Sequence, residues 1–473
     1  MAASGLPVER LREYLRQLPS EARALLIAEL ERAALRGDEI LGGDFLLQEV
    51  RSALREEGIS APRIGNPARL FFQPLAPFLT DDDPARKHQG RMARSCLEPL
   101  WAWIRRDLVP NEAKSYCDEV TRAILSTDTA NCEQLTQAFQ SRVVERICTS
   151  LAAVKADDKA RWRMIGQIGT PKALDDLHDL LTILSSRDAF TLIESRLPPL
   201  IRNLADGQLD QVKALLDSPI SAQRDLLPYA LILVMGRLAA PWQLIRLAVK
   251  AAESDDAARI AGTPYAAAVT ITLADVERMV GELKADLKRG ATVAGTSLIK
   301  GIHDAVRGLR TELDMTGDSP WGRQLAAIRA EISSLLKTEI ESMPGRVRRL
   351  LRLRPTNEIA RGSTLDPDEV AETEALIEFV GACRHYASEL AINEMTLRTY
   401  NEVQQYLDTG TQALLDALRS TGDGDRPFRQ SQVDAAVRFC AKVFGKEYAS
   451  LLTKAAEVAA NSEHKAAAAA AKA

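Results

Sequence analysis

The chain has 473 residues, of which 46% are hydrophobic and 27% are charged. This balance is typical of a globular protein and excludes a chain that is disordered throughout. The net charge of −4 excludes a surface that is basic overall, so any binding of nucleic acid or anionic lipid has to use a local patch. Aromatic residues account for only 5%, which favours a core of packed aliphatic helices over a β-sandwich.

The first segment, residues 1–57, has leucines at helical spacing on both sides of a break at Pro19. We expect two short helices here, with Ser20 as the N-cap of the second. Charged residues at Glu9 and Arg10 occupy positions where a secretion signal needs an apolar run. The six cysteines are dispersed and form no C-x-x-C pair, which is typical of proteins in a reducing compartment. We therefore expect a cytoplasmic protein.

The second segment, residues 58–84, contains prolines at five positions, which exclude a long regular helix: Pro62, Pro67, Pro74, Pro77 and Pro84. Large apolar residues lie among them from Leu70 to Leu79, so the segment is too apolar for a free linker. We expect an extended, proline-rich arm that packs in a groove. The sequence leaves open whether this groove belongs to the same chain or to a partner.

The third segment, residues 85–290, has the pattern of successive helices separated by short breaks, several of them at proline. In its last third, residues 226–236 carry no charge, and apolar residues fall on every side of a helical wheel. We expect this helix to be buried on all sides, with Asp225 as its cap and Pro228 in its first turn. The segment therefore predicts an irregular array of helical hairpins, similar to an α-solenoid but without a fixed repeat.

The fourth segment, residues 291–460, has longer amphipathic patterns, and the glycines at Gly290 and Gly295 are expected to break a long helix and permit close packing. Asp366 followed by Pro367 marks a helix start, and the absence of proline up to about residue 408 predicts one long, coiled-coil-like helix. Residues 461–473 form an Ala-rich tail. The predicted fold class is all-α: an irregular, α-solenoid-like array of helical hairpins followed by long antiparallel C-terminal helices.

Three carboxylates in the third segment are the best enzymatic candidates: Asp175, Asp176 and Asp179. Their spacing places them on one flank of a helix, where they could hold Mg²⁺ against a diphosphate. The pattern resembles the D-D-x-x-D element of helical isoprenoid synthases, and this resemblance implies a magnesium-dependent enzyme. Such enzymes need a second metal-binding element, and the sequence contains neither another D-D-x-x-D nor an N-x-x-x-S-x-x-x-E. The alternative is an amphipathic helix whose leucines face the core while its acids face water.

Five arginines lie within nine residues, with no acidic residue between them: Arg346, Arg348, Arg349, Arg352 and Arg354. We expect a short helix between the Pro344-Gly345 pair and Pro355. Guanidinium groups bind phosphate and carboxylate in a bidentate manner, so RNA, anionic lipid and acidic proteins are all suitable partners. Six acidic residues between 366 and 378 offer an internal alternative, in which the arginines pair within the chain.

The sequence contains no complete set of catalytic residues, and extended helical arrays offer large contact surfaces. It therefore favours a non-catalytic cytoplasmic scaffold or adaptor that binds another macromolecule, foremost a protein, and that needs no cofactor. Two alternatives stay open. One is a peripheral binder of nucleic acid or anionic membrane that uses arginines 346–354. The other is the magnesium-dependent enzyme built around Asp175, Asp176 and Asp179.

Overall fold

The structure is a computed structural model, and it describes residues 6–56, 59, 65–81, 87–218, 225–290, 292–422 and 424–470. Within these ranges the chain is almost entirely helical, and its only strands are the two-residue β1 (Leu79–Thr80) and β2 (Met92–Ala93), which pair in parallel. The predicted all-α class is confirmed, while the likeness to a solenoid stays a prediction. Among the described helices, none combines the length and apolar character needed to cross a bilayer.

The chain divides into two compact units, Met1–Arg196 and Leu197–Ala473. The five segments defined above follow local sequence patterns, and their boundaries stay predictions. The first unit also contains 3₁₀ helices at Gln73–Phe78 and Arg94–Cys96 and a π-helix at Ile104–Leu108. Its α-helices are α1 (Leu6–Gln17), α2 (Ser20–Arg36), α3 (Gly43–Glu56), α4 (Pro67–Phe71), α5 (Leu97–Trp103), α6 (Pro110–Leu125), α7 (Thr129–Ala156), α8 (Asp158–Ile168), α9 (Pro171–Ser185) and α10 (Arg187–Arg196).

The N-terminal part of the first unit is a group of three helices, α1 to α3, around a small aliphatic core. Leu15, Ile27, Val50 and Leu54 are buried together in it. The helix break at Pro19 is confirmed, but the cap is displaced by one residue. Pro19 itself is the N-cap residue of α2, and it makes no side-chain capping hydrogen bond.

Residues 67–78 of the proline-rich segment are mostly helical, which corrects the expected extended arm for this part, and Leu79–Thr80 forms β1. Residues 58, 60–64 and 82–84 of the segment lie outside the described residues. Asn66 caps α4 by accepting a hydrogen bond from the backbone N–H of Arg69, and Pro67 stands in the first turn. A 3₁₀ helix follows directly at Gln73–Phe78. Prolines exclude long helices, but they fit the first turn of short ones, because that turn has no intrahelical partner for its N–H groups.

The segment packs on its own chain, which answers the question that the sequence left open. Phe71 is fully buried and contacts Trp101 and Phe139, with ring centroids 5.4 and 5.5 Å away. Tyr116 stacks on Phe139 at 4.3 Å, and its hydroxyl donates a 2.9 Å hydrogen bond to the carbonyl of Pro67. These contacts fix α4 against α6 and α7.

The second unit contains 3₁₀ helices at Pro241–Leu244 and Thr356–Glu358 besides its α-helices. The α-helices are α11 (Asp206–Leu216), α12 (Leu227–Met235), α13 (Ile245–Ala252), α14 (Ala257–Ala261), α15 (Ala266–Lys288), α16 (Thr292–Glu312), α17 (Pro320–Leu351), α18 (Pro367–His385), α19 (Ala387–Leu390), α20 (Asn393–Arg419), α21 (Arg426–Val443) and α22 (Lys446–Ala470).

The uncharged helix α12 is buried along its whole length, as predicted from its apolar circumference. The prediction that Asp225 caps it is wrong, because Leu226 is the N-cap residue and no side chain makes a capping hydrogen bond. The predicted break at Gly290 is confirmed, since α15 ends at Lys288 and Gly290 has a positive φ of 74°. The predicted break at Gly295 is wrong, because Gly295 lies inside α16. It does permit close packing, since a Cβ there would lie 3.0 Å from the ring of Phe379.

Two predictions about the helices of the fourth segment need correction. The arginines do not form a separate short helix, because α17 continues through Pro344, which is buried together with Met343 and Val347. This packing compensates for the cost of a proline inside a helix, about 3 kcal/mol. The single helix expected from residue 366 to about 408 is instead α18, α19 and α20.

The break between α18 and α20 is stabilised by side chains of α17. Ala391 adopts a left-handed conformation with φ 57°. The guanidinium of Arg329 donates to the carbonyl of Glu389, and the hydroxyl of Ser333 donates to the carbonyl of Ala391. Leu390 and Ile392 are buried by this turn. Local sequence patterns did not indicate this turn, because its partners lie about sixty residues earlier in the chain.

Candidate functional site

The arginine cluster, defined as Arg346, Arg348, Arg349, Arg352 and Arg354, lies at the end of α17 and just beyond it. Two of its members pair with the acidic helix α18, as the internal alternative predicts: Arg346 lies 3.7 Å from Glu372, and Arg349 lies 3.0 Å from Glu369. The other partners were not foreseen. They are Glu402 for Arg348, Glu358 for Arg352, and the ring of Phe428 for Arg354, at 2.8, 3.5 and 5.3 Å.

These ion pairs neutralise the cluster without burying it. The four paired arginine side chains keep between 40% and 69% of their surface exposed. Exposed pairs of this kind contribute about 0–1 kcal/mol each, because water and salt screen them. The cluster is therefore a surface on which each cationic charge already faces a glutamate or an aromatic ring of the same chain.

The three aspartates of α9 do not share one environment. Asp175 is exposed, whereas Asp176 and Asp179 are buried against Lys87. The ammonium group of Lys87 pairs with Asp176 and lies 2.5 Å from Oδ2 of Asp179. The expectation that all three acids face water is thus wrong for Asp176 and Asp179, because a lysine 89 residues earlier in the chain compensates their charge.

The environment of Lys87 strengthens this arrangement. Burial on its own would lower the pKa of Lys87, but the carboxylates of Asp179 and Asp176 outweigh it, so the pKa is raised. The thiol of Cys96 also contacts Asp176, and burial together with this carboxylate raises its pKa. Lys87 is therefore a cation at neutral pH, and Cys96 is a protonated thiol.

A lysine ammonium occupies the place between Asp176 and Asp179 where a diphosphate-bound Mg²⁺ would have to bind, and Asp175 does not converge on it. In the described part of the chain, no group of three or more histidine, cysteine or acidic side chains is arranged to hold a metal ion. The chemistry of this cluster is that of a buried ion pair linking α9 to the segment before β2.

The first unit also contains a cavity of about 790 Å³ that is open to solvent. One wall is the proline-rich segment, and the other walls come from the end of α6, the start of α7, and α10. Its lining includes both apolar and polar side chains. Its lining comprises Gly65, Leu70, Gln73, Pro74, Ala76, Pro77, Ala123, Ile124, Thr127, Thr129, Cys132, Glu133, Thr136, Gln137, Gln140, Arg187, Thr191 and Glu194.

A hydrogen-bond network holds the polar side of the cavity in place. Gln140, which is buried, donates a 2.8 Å hydrogen bond to the carbonyl of Phe71. The guanidinium of Arg187 donates to the side-chain oxygen of Gln140 at 2.7 Å. Thr136 lies 3.2 Å from the hydroxyl of Tyr116. Because each of these groups is fixed by another, the cavity has a defined shape and a defined pattern of donors and acceptors.

The sequence did not reveal this cavity, because its walls come from three stretches, 65–77, 123–140 and 187–194, that no local motif connects. A weak signal was present in the proline-rich segment, which was too apolar for a linker. Its apolar residues proved to form one wall and the core behind it. The cavity is large enough to hold a ligand, since its volume is within the range of known binding sites, about 300–1,000 Å³.

The comparisons with known proteins found no match for this chain. No family model matches the chain. No curated protein and no solved structure matches it significantly.

Proposed function

We propose that the chain is a non-catalytic, cytoplasmic scaffold or adaptor that binds a segment of another protein in the cavity of the first unit. The observation that carries this proposal is the cavity itself, with its volume of about 790 Å³ and its fixed polar side. A cytoplasmic location is part of the proposal, and it is supported by the described cysteines, all six of which are free thiols.

The lining supports a peptide as the occupant. Prolines 74 and 77 and Ile124 offer apolar contact, while Gln73, Gln137 and the threonine hydroxyls can both donate and accept hydrogen bonds. An extended peptide presents a backbone that needs donors and acceptors along its length and side chains that need apolar pockets. A lining that contains both kinds of group suits both needs.

The same lining supports binding rather than nucleophilic catalysis. Cys132 provides the one thiol of the lining, and burial raises its pKa. A thiol with a raised pKa is protonated at neutral pH and is a poor nucleophile. Among the described residues that line the cavity, none is a histidine that could activate this thiol.

The proposal is tested by filling the cavity from its exposed edge. Thr191 lies on α10, is exposed and lines the cavity, so Thr191→Trp introduces a large ring there without disturbing the core. Thr149→Trp is the matched control, because Thr149 is an exposed threonine on α7 that does not line the cavity. Each protein is immobilised, and captured proteins are quantified by mass spectrometry.

We expect a partner that is captured by the wild type and by Thr149→Trp but lost with Thr191→Trp. The purified partner, and then a peptide from it, should bind the intact chain in calorimetry and fail to bind Thr191→Trp. An identical set of proteins captured by all three forms would contradict the proposal. So would a small molecule that co-purifies with the wild type and is displaced by Thr191→Trp, since the cavity would then serve a metabolite.

A further inference from the structure

A second surface of the first unit, on α8, combines unpaired cations with an exposed tryptophan. Asp157 caps this helix, and Met164 and Ile168 bury its inner side. Lys159, Trp162 and Arg163 lie at positions i, i+3 and i+4, so they share one outer face of the helix. All three are exposed, and Trp162 keeps 70% of its surface accessible.

Among the described residues, the cations of this face have no partner, unlike those of the arginine cluster. Within the described part of the chain, the side chains of Lys159, Arg161 and Arg163 make no ion pair and no hydrogen bond. Arg106 adds a further cation at the far end of α8, where its guanidinium donates to the carbonyl of Gln167 while also pairing with Asp107. The helix itself carries three cations against one acid, Asp158.

Exposure of an indole to this extent needs an explanation. Tryptophan is the largest apolar side chain, and leaving most of its surface in water forgoes a large part of the stabilisation that burial would give. The flat face of an indole accepts a nucleic-acid base by stacking, and flanking lysine and arginine side chains bind the phosphates on either side of that base. Lys159 and Arg163 are one helical turn apart, with Cβ atoms about 5–6 Å from each other, and Trp162 lies beside them.

We propose that the α8 face formed by Lys159, Trp162 and Arg163, with Arg161 on the adjoining side of the helix, binds single-stranded nucleic acid, with one base stacked on Trp162 and its phosphates held by the three cations. A membrane surface fits less well, because interfacial helices present a broad apolar face, and Trp162 is the one large apolar side chain that α8 exposes. An acidic peptide would use the cations but has no base to place on the indole. The proposal is independent of the cavity and of its occupant.

The test uses the full chain and fluorescein-labelled 20-nucleotide oligo-dT and oligo-U in fluorescence anisotropy, at salt concentrations from about 50 to 200 mM. We expect binding of both, with log K falling linearly against log salt at a slope of about −2 for three phosphate contacts. Trp162→Ala should weaken binding about 5- to 150-fold, the equivalent of one base–aromatic stack, and leave the slope unchanged. Lys159→Gln with Arg163→Gln should reduce the slope by about 1.4.

Matched controls separate this face from general effects of charge and exposure. Tyr14→Ala removes an exposed aromatic ring on α1, and Lys337→Gln removes an exposed cation on α17, so both should bind like the wild type. Trp162→Phe should keep most of the affinity, because phenylalanine also stacks. Circular dichroism melts that match the wild type will show that each variant is folded.

Three results would overturn the proposal. The first is no binding of either oligonucleotide at the lowest salt concentration. The second is binding that Trp162→Ala leaves unchanged, or equally tight binding of a blunt duplex, because a paired base cannot stack on the indole. The third is binding to phosphatidylserine vesicles without binding to the oligonucleotides, which would make the α8 face a membrane contact instead.

Discussion

The side-chain amide of Gln432 donates a 3.0 Å hydrogen bond to the carbonyl oxygen of Leu350, in the last turn of α17. The same amide donates to the carbonyl of Arg352, and its oxygen accepts a hydrogen bond from the guanidinium of Arg429. Arg429 in turn donates to the carbonyl of Arg354. Helix α21 thereby satisfies the carbonyl of Leu350 in the last turn of α17 and two carbonyls just beyond the end of that helix.

Replacing Gln432 with leucine should lower the free energy of unfolding by about 2 kcal/mol or more, since each buried polar group left unsatisfied costs about 1–3 kcal/mol. Gln432 has 0% of its surface exposed, so water cannot replace the lost hydrogen bonds. Gln430→Ala is the control, because the amide of Gln430 bonds only to Asp434 on the surface. Urea titrations measure both. Equal effects of the two substitutions would show that the buried amide does not hold the end of α17.

Gly308 and Trp242 form the tightest contact of a glycine with a side chain in the second unit. A Cβ at position 308 would lie 2.3 Å from the indole ring of Trp242, which also carries Arg246 over its face at 5.2 Å. We expect Gly308→Ala to destabilise the protein by about 1–3 kcal/mol, because the ring must move in packed surroundings. Thermal melts provide the measurement.

Gly281→Ala is the matched control for Gly308→Ala. Gly281 also lies within a helix, α15, but a Cβ there meets nothing within 4 Å. Alanine should therefore stabilise the helix at this position by up to about 1 kcal/mol. Opposite signs for the two substitutions are expected. Destabilisation by both would indicate that backbone freedom, rather than contact with Trp242, requires a glycine at position 308.

Local patterns predicted the parts of this fold that local physics determines. The all-apolar circumference of residues 226–236 predicted a buried helix, and α12 is buried. The Asp366-Pro367 pair predicted a capped helix start, and Asp366 accepts a hydrogen bond from the backbone of residue 368. In each case the sequence neighbours that carry the signal are also the neighbours in space.

Local sequence patterns failed to predict the structure where a contact with a residue distant in the sequence determines it. No sequence feature near Asp176 indicates that Lys87 neutralises its charge. The sequence therefore left open whether the acids of α9 bind metal or face water. Pro344 predicted a helix end, but burial in the second unit outweighs the lost hydrogen bond. The cavity escaped detection for the same reason, since its walls come from distant stretches of the chain. The arginine cluster was predicted in part. Its pairing with the acidic helix α18 was predicted, whereas its contacts with Glu402 and Phe428 were not.

The arginine cluster should contribute little to stability and nothing to the binding of the partner in the cavity. A variant with glutamine at positions 346, 348, 349 and 352 should lose less than about 1 kcal/mol for each pair at low salt, and less still at high salt, because exposed pairs are screened. Urea titrations at two salt concentrations measure this. Loss of the captured partner in this variant, but not in Thr191→Trp, would move the binding surface to the end of α17.

Lys87 should stabilise the first unit through its two aspartates. Lys87→Met leaves the buried carboxylates of Asp176 and Asp179 without their cation. We expect a loss of about 2–3 kcal/mol, less than for a fully buried pair, because 36% of the Lys87 side chain is exposed. Adding Asp176→Asn and Asp179→Asn to Lys87→Met should restore part of the loss, since no uncompensated charge remains. Asp175→Asn, at an exposed position, should change little, and an equal loss there would contradict the buried ion pair.

Alkaline pH should destabilise the second unit through two buried thiols, Cys383 and Cys440. Burial raises the pKa of each to about 12, from an ordinary value of 9.0. Above pH 9.0 the unfolded chain loses these protons while the folded chain keeps them, so stability is fully present below that pH and is lost as the pH rises towards 12. Each thiol adds a slope of up to about 1.4 kcal/mol per pH unit.

Cys383→Ala should therefore flatten the decline of stability with pH, which urea titrations between about pH 8 and 11 measure. Cys148→Ala, which removes an exposed thiol, is the control. Parallel declines in wild type and Cys383→Ala would mean that other groups, such as Tyr116 and Tyr265, cause the alkaline loss.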